Sequence, residues 1–193
     1  PTTDRGLDEF GQDSCSVQDW GRLDVNRSVV HTPLRVNGGV YERGLGAHSI
    51  SRLLYDLDGK AVSISGLAGA DDKNLFAGKL QFKILGDKKE LWKSGVMQKG
   101  DPVKEFNVNL KGVDKVLLLV EECGDGIMYD HADWLNVKIT TRGDVKPVPA
   151  WAKPVAKEKY ILTPPAPESP VINNPLVYGA RPGNPILWSV IAT

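Results

Sequence analysis

The sequence predicts an all-β fold, an antiparallel β-sandwich of about eight strands. Hydrophobic and polar residues alternate in separate segments, turn-forming residues lie between those segments, and no stretch shows sustained helical periodicity. The 193 residues include 41% hydrophobic and 25% charged residues, an ordinary composition for a globular protein. A domain of this size can bury a substantial core without metals or disulfides.

The predicted strands follow one another along the chain. Residues 79–85 place Leu80, Phe82 and Ile84 on one face, as a half-buried strand does. Residues 106–110 and 135–140 alternate in the same way, whereas residues 116–120 are apolar throughout, as in a central strand buried on both faces. The turn signals between them are Leu57-Asp58-Gly59, Gly86-Asp87-Lys88, residues 99–102 and residues 111–113.

The composition changes near residue 145. Ten of the 13 prolines lie at or beyond Pro147, and proline removes an amide donor and favours extended chain. We therefore predict a β-sandwich domain at residues 1–144. Residues 145–193 are predicted to form an extended Pro-rich C-terminal arm with two short strands, leading to a downstream domain.

Charge and cysteine content restrict the function classes. The 24 basic and 24 acidic residues balance, so no basic field attracts nucleic acid or an anionic membrane, and both are disfavoured as partners. No apolar run approaches the length of a membrane span. Cys15 and Cys123 form no metal motif, and their separation permits either one disulfide or two buried free thiols.

Residues 125–134 contain several side chains that can take part in binding or catalysis. Three carboxylates, one His and one Trp lie within this stretch, just after a very apolar strand. A sugar has hydroxyls at its rim and C–H groups on its faces, so polar groups beside a flat apolar ring suit a glycan, and loops at strand ends commonly carry binding chemistry. Alternatively, the Trp belongs to the core and the Asp and His side chains hold a tight loop.

Two further loops complete a candidate site. Residues 41–49 contain Gly44 and Gly46, which permit a backbone path that a Cβ resists, although the pattern is not a phosphate loop. Residues 69–74 form a polar loop between two strands. If strands alternate in direction, these loops share one end of the sandwich, and we expect five side chains to converge there: His48, Asp72, Asp130, His131 and Trp134.

Metal and enzyme chemistry are less well supported. Asp71, Asp125 and Asp133 offer the hard oxygen ligands of a calcium site, but an EF-hand spacing is missing. The scattered histidines disfavour zinc. No Gly-x-Ser-x-Gly elbow occurs, and Glu121 and Glu122 point to opposite faces of their strand, so they do not form a catalytic pair.

Four motifs together resemble the NPCBM family of carbohydrate-binding modules. They are residues 41–49, residues 54–57, residues 69–72 and residues 124–134, in this order, and the resemblance covers roughly residues 5–142. It implies a β-sandwich of the galactose-binding jelly-roll type, usually attached to secreted glycoside hydrolases. The family's motif reads Gly-Leu-Gly-Thr-His-Ala, whereas here Ala47 and Ser49 flank His48. Residues 161–185 resemble the connector that leads to an Ig-like and alpha-galactosidase-like catalytic region.

The resemblance implies a non-catalytic module that binds a terminal galactose-type sugar. In this hypothesis Asp72 and Asp130 accept sugar hydroxyls and His48 and His131 donate or accept. An aromatic ring covers the sugar face, and the candidates are Tyr41, Tyr129 and Trp134. The parent enzyme would be secreted, periplasmic or at the cell surface, with its catalytic domain downstream in the same polypeptide.

Two other hypotheses remain. The module could be architectural, packing against its catalytic neighbour without binding sugar, and near-complete burial of His48, Asp130 and His131 would favour that role. Glycoside hydrolysis by this chain itself would require two carboxylates facing each other across a cleft.

Overall fold

The computed structural model describes residues 2–7, 16–76, 78–144 and 148–149. They belong to the first of two units into which the chain divides, residues 1–154, whereas the second unit, residues 155–193, lies wholly outside the described residues. The predicted Pro-rich arm at residues 145–193 lies outside the described part apart from a two-residue strand. The arm and the domain boundary at residue 144 therefore remain predictions.

The described residues form fourteen strands and no α-helix. The strands are β1 (Thr2–Gly6), β2 (Ser16–Gln18), β3 (Asp24–Val25), β4 (Leu34–Val36), β5 (Gly39–Tyr41), β6 (Gly44–His48), β7 (Ser51–Asp56), β8 (Ala61–Ala70), β9 (Leu80–Gly86), β10 (Lys89–Met97), β11 (Lys104–Asn109), β12 (Lys115–Glu122), β13 (His131–Arg142) and β14 (Val148–Pro149). No helix among the described residues is long and apolar enough to cross a membrane.

Two six-stranded sheets make up the body of the described domain, and every strand pairing is antiparallel. The first sheet has the order β11-β8-β13-β6-β3, with β1 beside β13, and the second has the order β10-β9-β12-β7-β14, with β2 beside β7. Strands β4 and β5 form a separate hairpin. The predicted all-β antiparallel sandwich is confirmed.

Aromatic side chains from both sheets meet in the core. The Trp134 ring on β13 makes edge contacts with Phe82 of β9 at 4.9 Å and Phe106 of β11 at 5.6 Å between ring centroids. Trp134 is 0% exposed. Edge-to-face contacts of this kind are favourable beyond the apolar area they bury. Trp134 is therefore a core residue, and the prediction that its ring covers a sugar face is wrong.

The segment predicted as the first loop is largely a strand. Gly44–His48 forms β6 and pairs with β13, and all five of its residues are buried. A Cβ at Gly46 would lie 2.3 Å from the backbone oxygen of Arg27. The glycine therefore lets residues 27–28 cross directly over β6, and this crossing fixes the segment that continues to Val30.

Candidate functional site

A cleft of about 630 Å³ opens beside the end of the first sheet. Its wall consists mostly of apolar and aromatic side chains, with a few polar groups among them: Trp20, Val30, His48, residues 125–129 and His131. Sites for small molecules usually have this composition, and their volumes usually fall between about 300 and 1,000 Å³. The cleft is the candidate binding site.

Strand pairing brings His48 and His131 together in this cleft. His48 is the last residue of β6 and His131 is the first of β13, and the two are direct partners in the antiparallel register. Their ring centroids lie 5.5 Å apart. The sequence predicted that these residues converge, and register is the cause, because residues directly opposite on paired strands share one face.

Asn74 holds the backbone of His131 in place. Its Oδ1 accepts the His131 amide at 2.9 Å, and its Nδ2 donates to the His131 carbonyl at 3.0 Å. The Asp71 amide donates to the same carbonyl at 3.0 Å. Asn74 is fully buried, so water does not compete for these bonds. The polar loop after β8 therefore positions the site without its side chains entering it.

Trp20 supplies the aromatic surface of the cleft. Its ring lies nearly parallel to that of His131, at 8° and 5.8 Å between centroids, and it lies 5.0 Å from the His48 ring. Trp20 is nevertheless 49% exposed. A large aromatic ring held by two histidines, with half its surface in solvent, offers a flat apolar face to a ligand. Trp20 was not among the predicted site residues, and its place before Gly21, which indicates a turn, was the one available signal of exposure.

Both histidines in the cleft favour the neutral form. Burial lowers the pKa of His48 below its usual value, although a hydrogen bond to Ser49 opposes the shift. Burial also lowers the pKa of His131, and nearby His48 lowers it further. The Nδ1 of His48 lies 2.6 Å from the Ser49 carbonyl, which can only accept. Nδ1 therefore carries the proton, and Nε2 of the neutral ring is left as an acceptor.

Residues 125–129 form the opposite wall. Asp125 is exposed and its Oδ2 accepts the Lys79 amide at 3.2 Å, while Tyr129 makes an edge contact with Phe76 at 5.1 Å. Met128 is 73% exposed. Asp125 and the Tyr129 hydroxyl provide polar groups beside the apolar surface. Tyr129 is thus placed in the cleft, as the sequence predicted, and Asp125 joins it as a hydrogen-bonding group.

Asp130 lies behind the cleft rather than in it. Its side chain is fully buried, and its Oδ2 accepts the Ser49 hydroxyl at 2.5 Å. Burial raises the pKa of Asp130 to about 6, against the opposing effect of the Ser49 hydrogen bond. A Cβ at Gly78 would come within 2.4 Å of Asp130 Oδ1, which shows how closely the chain covers this carboxyl. Asp130 is not placed to accept a sugar hydroxyl, contrary to the sequence-based expectation.

Tyr41 and Asp72 also lie outside the cleft. Tyr41 packs against the small apolar cluster of Leu34, Val36 and Leu135. Both carboxylate oxygens of Asp72 accept backbone amides of the β4–β5 turn, from Asn37 and Gly38, each at 2.9 Å. The expected convergence of five side chains is therefore correct for His48 and His131 alone.

The three carboxylates of the calcium hypothesis do not form one ligand set. Asp71 and Asp133 are fully buried, and burial, followed by the negative charge of Asp71, raises the pKa of Asp133 well above its usual range. Asp125 instead lines the cleft. Across residues 2–7, 16–76 and 78–144, no three His, Cys, Asp or Glu side chains are grouped so that they could hold a metal ion.

Cys123 is a free thiol, and Cys15 lies outside the described residues.

Comparison with known proteins identifies the domain. Residues 6–140 match the NPCBM/NEW2 domain. The chain belongs to the NPCBM family. The domain has the fold of a carbohydrate-binding module, and two relatives of the chain are named as glycosidases.

Relatives carry the same domain within larger proteins. The chain is 29% identical over 130 residues to alpha-1,3-galactosidase B of Akkermansia muciniphila, a match that covers 65% of this chain and 16% of that enzyme. The chain therefore corresponds to about a sixth of the length of this relative.

Solved structures share the fold. A CBM51 module from Clostridium perfringens GH95, in complex with methyl-galactose, superposes with a TM-score of 0.64 at 23% identity, over 71% of this chain and 99% of that one. The M60 catalytic domain with two CBM51 domains of Clostridium perfringens ZmpB matches at 31% identity and a TM-score of 0.61, over 66% of this chain and 14% of that one. The NPCBM domain described here is thus a CBM51-like β-sandwich.

Proposed function

We propose that the cleft of this NPCBM domain binds a terminal galactose-type sugar of a glycan. The observation that carries the proposal is the half-exposed Trp20 ring, held parallel to His131 at the mouth of the cleft. The C–H face of a galactose ring can lie on this surface. Meanwhile the sugar hydroxyls meet Asp125 and the Tyr129 hydroxyl, with Nε2 of the largely buried His48 as a further acceptor.

The proposed preference for galactose is based on the names of related proteins. The Akkermansia muciniphila relative is named an alpha-1,3-galactosidase, and the Clostridium perfringens CBM51 module shows that a domain of this fold can hold a galactoside. We infer that the present domain serves a bacterial glycoside hydrolase that acts outside the cytoplasm, with its catalytic domain in the same polypeptide. Tethering of this kind raises the effective concentration of an enzyme at its polymer without adding catalytic groups.

The affinity expected of one site is low. An open cleft with few polar groups corresponds to a dissociation constant in the millimolar to micromolar range, or about 4 to 8 kcal/mol. Such a site depends heavily on its central aromatic residue. Truncating that residue should weaken binding at least about fivefold, since truncation of a hot-spot aromatic commonly costs more than about 1 kcal/mol.

The test is calorimetric titration with methyl-galactoside. Trp20→Ala and Asp125→Ala should each weaken binding, because they remove the stacking surface and a hydroxyl acceptor. Tyr41→Ala and Asp114→Ala are the matched controls, as their side chains lie outside the cleft, and they should bind as the unmodified domain does. Equal affinity in the Trp20→Ala variant would disprove the assignment of this cleft.

One observation favours the alternative, architectural role, in which the domain packs against a neighbouring domain without binding sugar. His48, Asp130 and His131 are 4%, 0% and 8% exposed, so much of the motif chemistry is enclosed in the fold. In that case the exposed rings of Trp20 and Phe76 would dock on a neighbouring domain. A domain that binds no glycan, yet associates with its own catalytic domain through Trp20, would establish this role.

A further inference from the structure

A second cleft differs from the first in charge. It has a volume of about 520 Å³ and is lined by Thr32, Pro33, Arg35, Asp72, Lys73 and Lys99. Three cationic side chains and one carboxylate thus face a single space. The whole chain has no net charge, so this local excess of positive charge is a feature of the cleft and not of the general composition.

The cations of this cleft are not neutralised by carboxylates. Within the described part of the chain, Arg35 and Lys73 form no ion pair, and both are exposed. The Lys99 ammonium donates to the backbone oxygen of Asn74 at 2.7 Å, which is a neutral partner. Among the described residues that line the cleft Asp72 is the only carboxylate, and its two oxygens accept the turn amides of Asn37 and Gly38.

Some residues that line the two clefts are close in sequence, and one residue, Asn74, contacts residues of both clefts. Val30 lines the first cleft and Thr32 lines the second, so their Cα atoms lie within about 7 Å of each other. Asn74 connects the clefts as well, because its side chain holds the His131 backbone and its carbonyl accepts Lys99. If one ligand spans both clefts, a sugar in the first extends a substituent or its next residue toward the second.

We propose that the second cleft binds the anionic group, a sulfate or a carboxylate, of an acidic glycan whose galactose-type residue occupies the first cleft. The inference rests on the proposed function, since the anion is part of the same glycan. Arg35 matches the geometry of a sulfate or carboxylate with two parallel N–H donors, and Lys73 and Lys99 add point charges. A long polyanion is the weaker fit, because a chain without net charge has no extended positive field to attract it.

The test compares lactose, sulfated lactose and sialylated lactose by titration calorimetry at low and high salt. The domain should bind at least one acidic form about fivefold to tenfold more tightly than lactose at low salt, as expected for one or two exposed charge-assisted hydrogen bonds. High salt should shrink the difference. The sulfated and sialylated forms distinguish a sulfate site from a carboxylate site.

Variants locate the effect. Arg35→Ala combined with Lys73→Ala should bring the affinity for the acidic form down to that for lactose, while lactose itself binds unchanged. Lys111→Ala removes a comparable exposed charge outside both clefts and should keep the preference. Thermal melts of each variant verify that the fold is retained.

Two results would overturn the inference and leave the proposed function intact. One is equal affinity for all three sugars, and the other is an acidic preference that persists in the Arg35→Ala, Lys73→Ala double variant. Failure to bind lactose or either acidic form would refute the proposed function itself, and the anion site with it.

Discussion

Replacing Asn74 with alanine should destabilise the domain by about 2 to 3 kcal/mol. The carboxamide makes two buried hydrogen bonds to the His131 backbone, each with a net contribution of about 1 kcal/mol. After the replacement the His131 carbonyl still accepts the Asp71 amide, but among the described residues the His131 amide loses its one partner. An orphaned buried donor adds about 1 kcal/mol or more to the cost.

Urea unfolding followed by Trp fluorescence measures the effect. With a typical slope of 1 to 3 kcal/mol per molar urea, the midpoint should fall by roughly 1 M. Asn107→Ala is the matched control, because that side chain is exposed on β11, and its effect should stay within about 0.5 kcal/mol. Equal midpoints for the two variants would refute the claim that Asn74 holds β13 in position. Galactoside affinity should also fall in Asn74→Ala, since the His131 ring loses its fixed backbone.

Three further outcomes follow from the same structure. Asp130→Asn should gain stability relative to the parent domain as pH rises from about 4 to 8. The reason is that the folded pKa of the Asp130 carboxyl is raised to about 6, so the parent loses stability over that interval. A stability difference that stays constant across pH would contradict this. Gly46→Ala should lower the melting temperature and weaken galactoside binding together, since the Cβ of the new alanine would lie 2.3 Å from the Arg27 backbone oxygen. An unchanged melting temperature would show that residues 27–28 can move away freely. A chelator should leave melting and binding unaltered, and a melting point that falls with chelator and recovers with calcium would reinstate a metal site.

Period-two alternation predicted several strands that have one exposed face, but it was not used to predict β4 or β7, which alternate in the same way. Residues 79–85 and 106–110 correspond closely to β9 and β11, and the apolar run at residues 116–120 lies within β12, which pairs on both sides with β7 and β9. Strand β6 was missed, because its glycines and histidine resemble a loop in composition. Close packing explains why small residues occupy a strand there: Gly46 lies beneath residues 27–28, and a Cβ at Gly44 would lie 2.5 Å from the backbone oxygen of Trp134.

The site was predicted in part, for reasons that lie in tertiary structure. Register between β6 and β13 joins His48 and His131, which lie in two separate motifs that were expected to meet at one end of the sandwich. Burial keeps other predicted residues out of the cleft. Trp134 lies on the face of β13 that packs into the core, and Asp130 is enclosed beside Ser49. Trp20 comes from a turn distant in sequence and near in space, so only the folded chain shows its role.

The two walls of the first cleft differ in how they are held. His48 and His131 belong to paired central strands, whereas residues 125–129 form a connection that contains Gly126 at a φ of 83° and the largely exposed Met128. Replacements in such a connection disturb few buried contacts, so they cost little stability. Under the proposed function, exchanging this one short surface connection should therefore alter the sugar preference and leave the histidine wall unchanged.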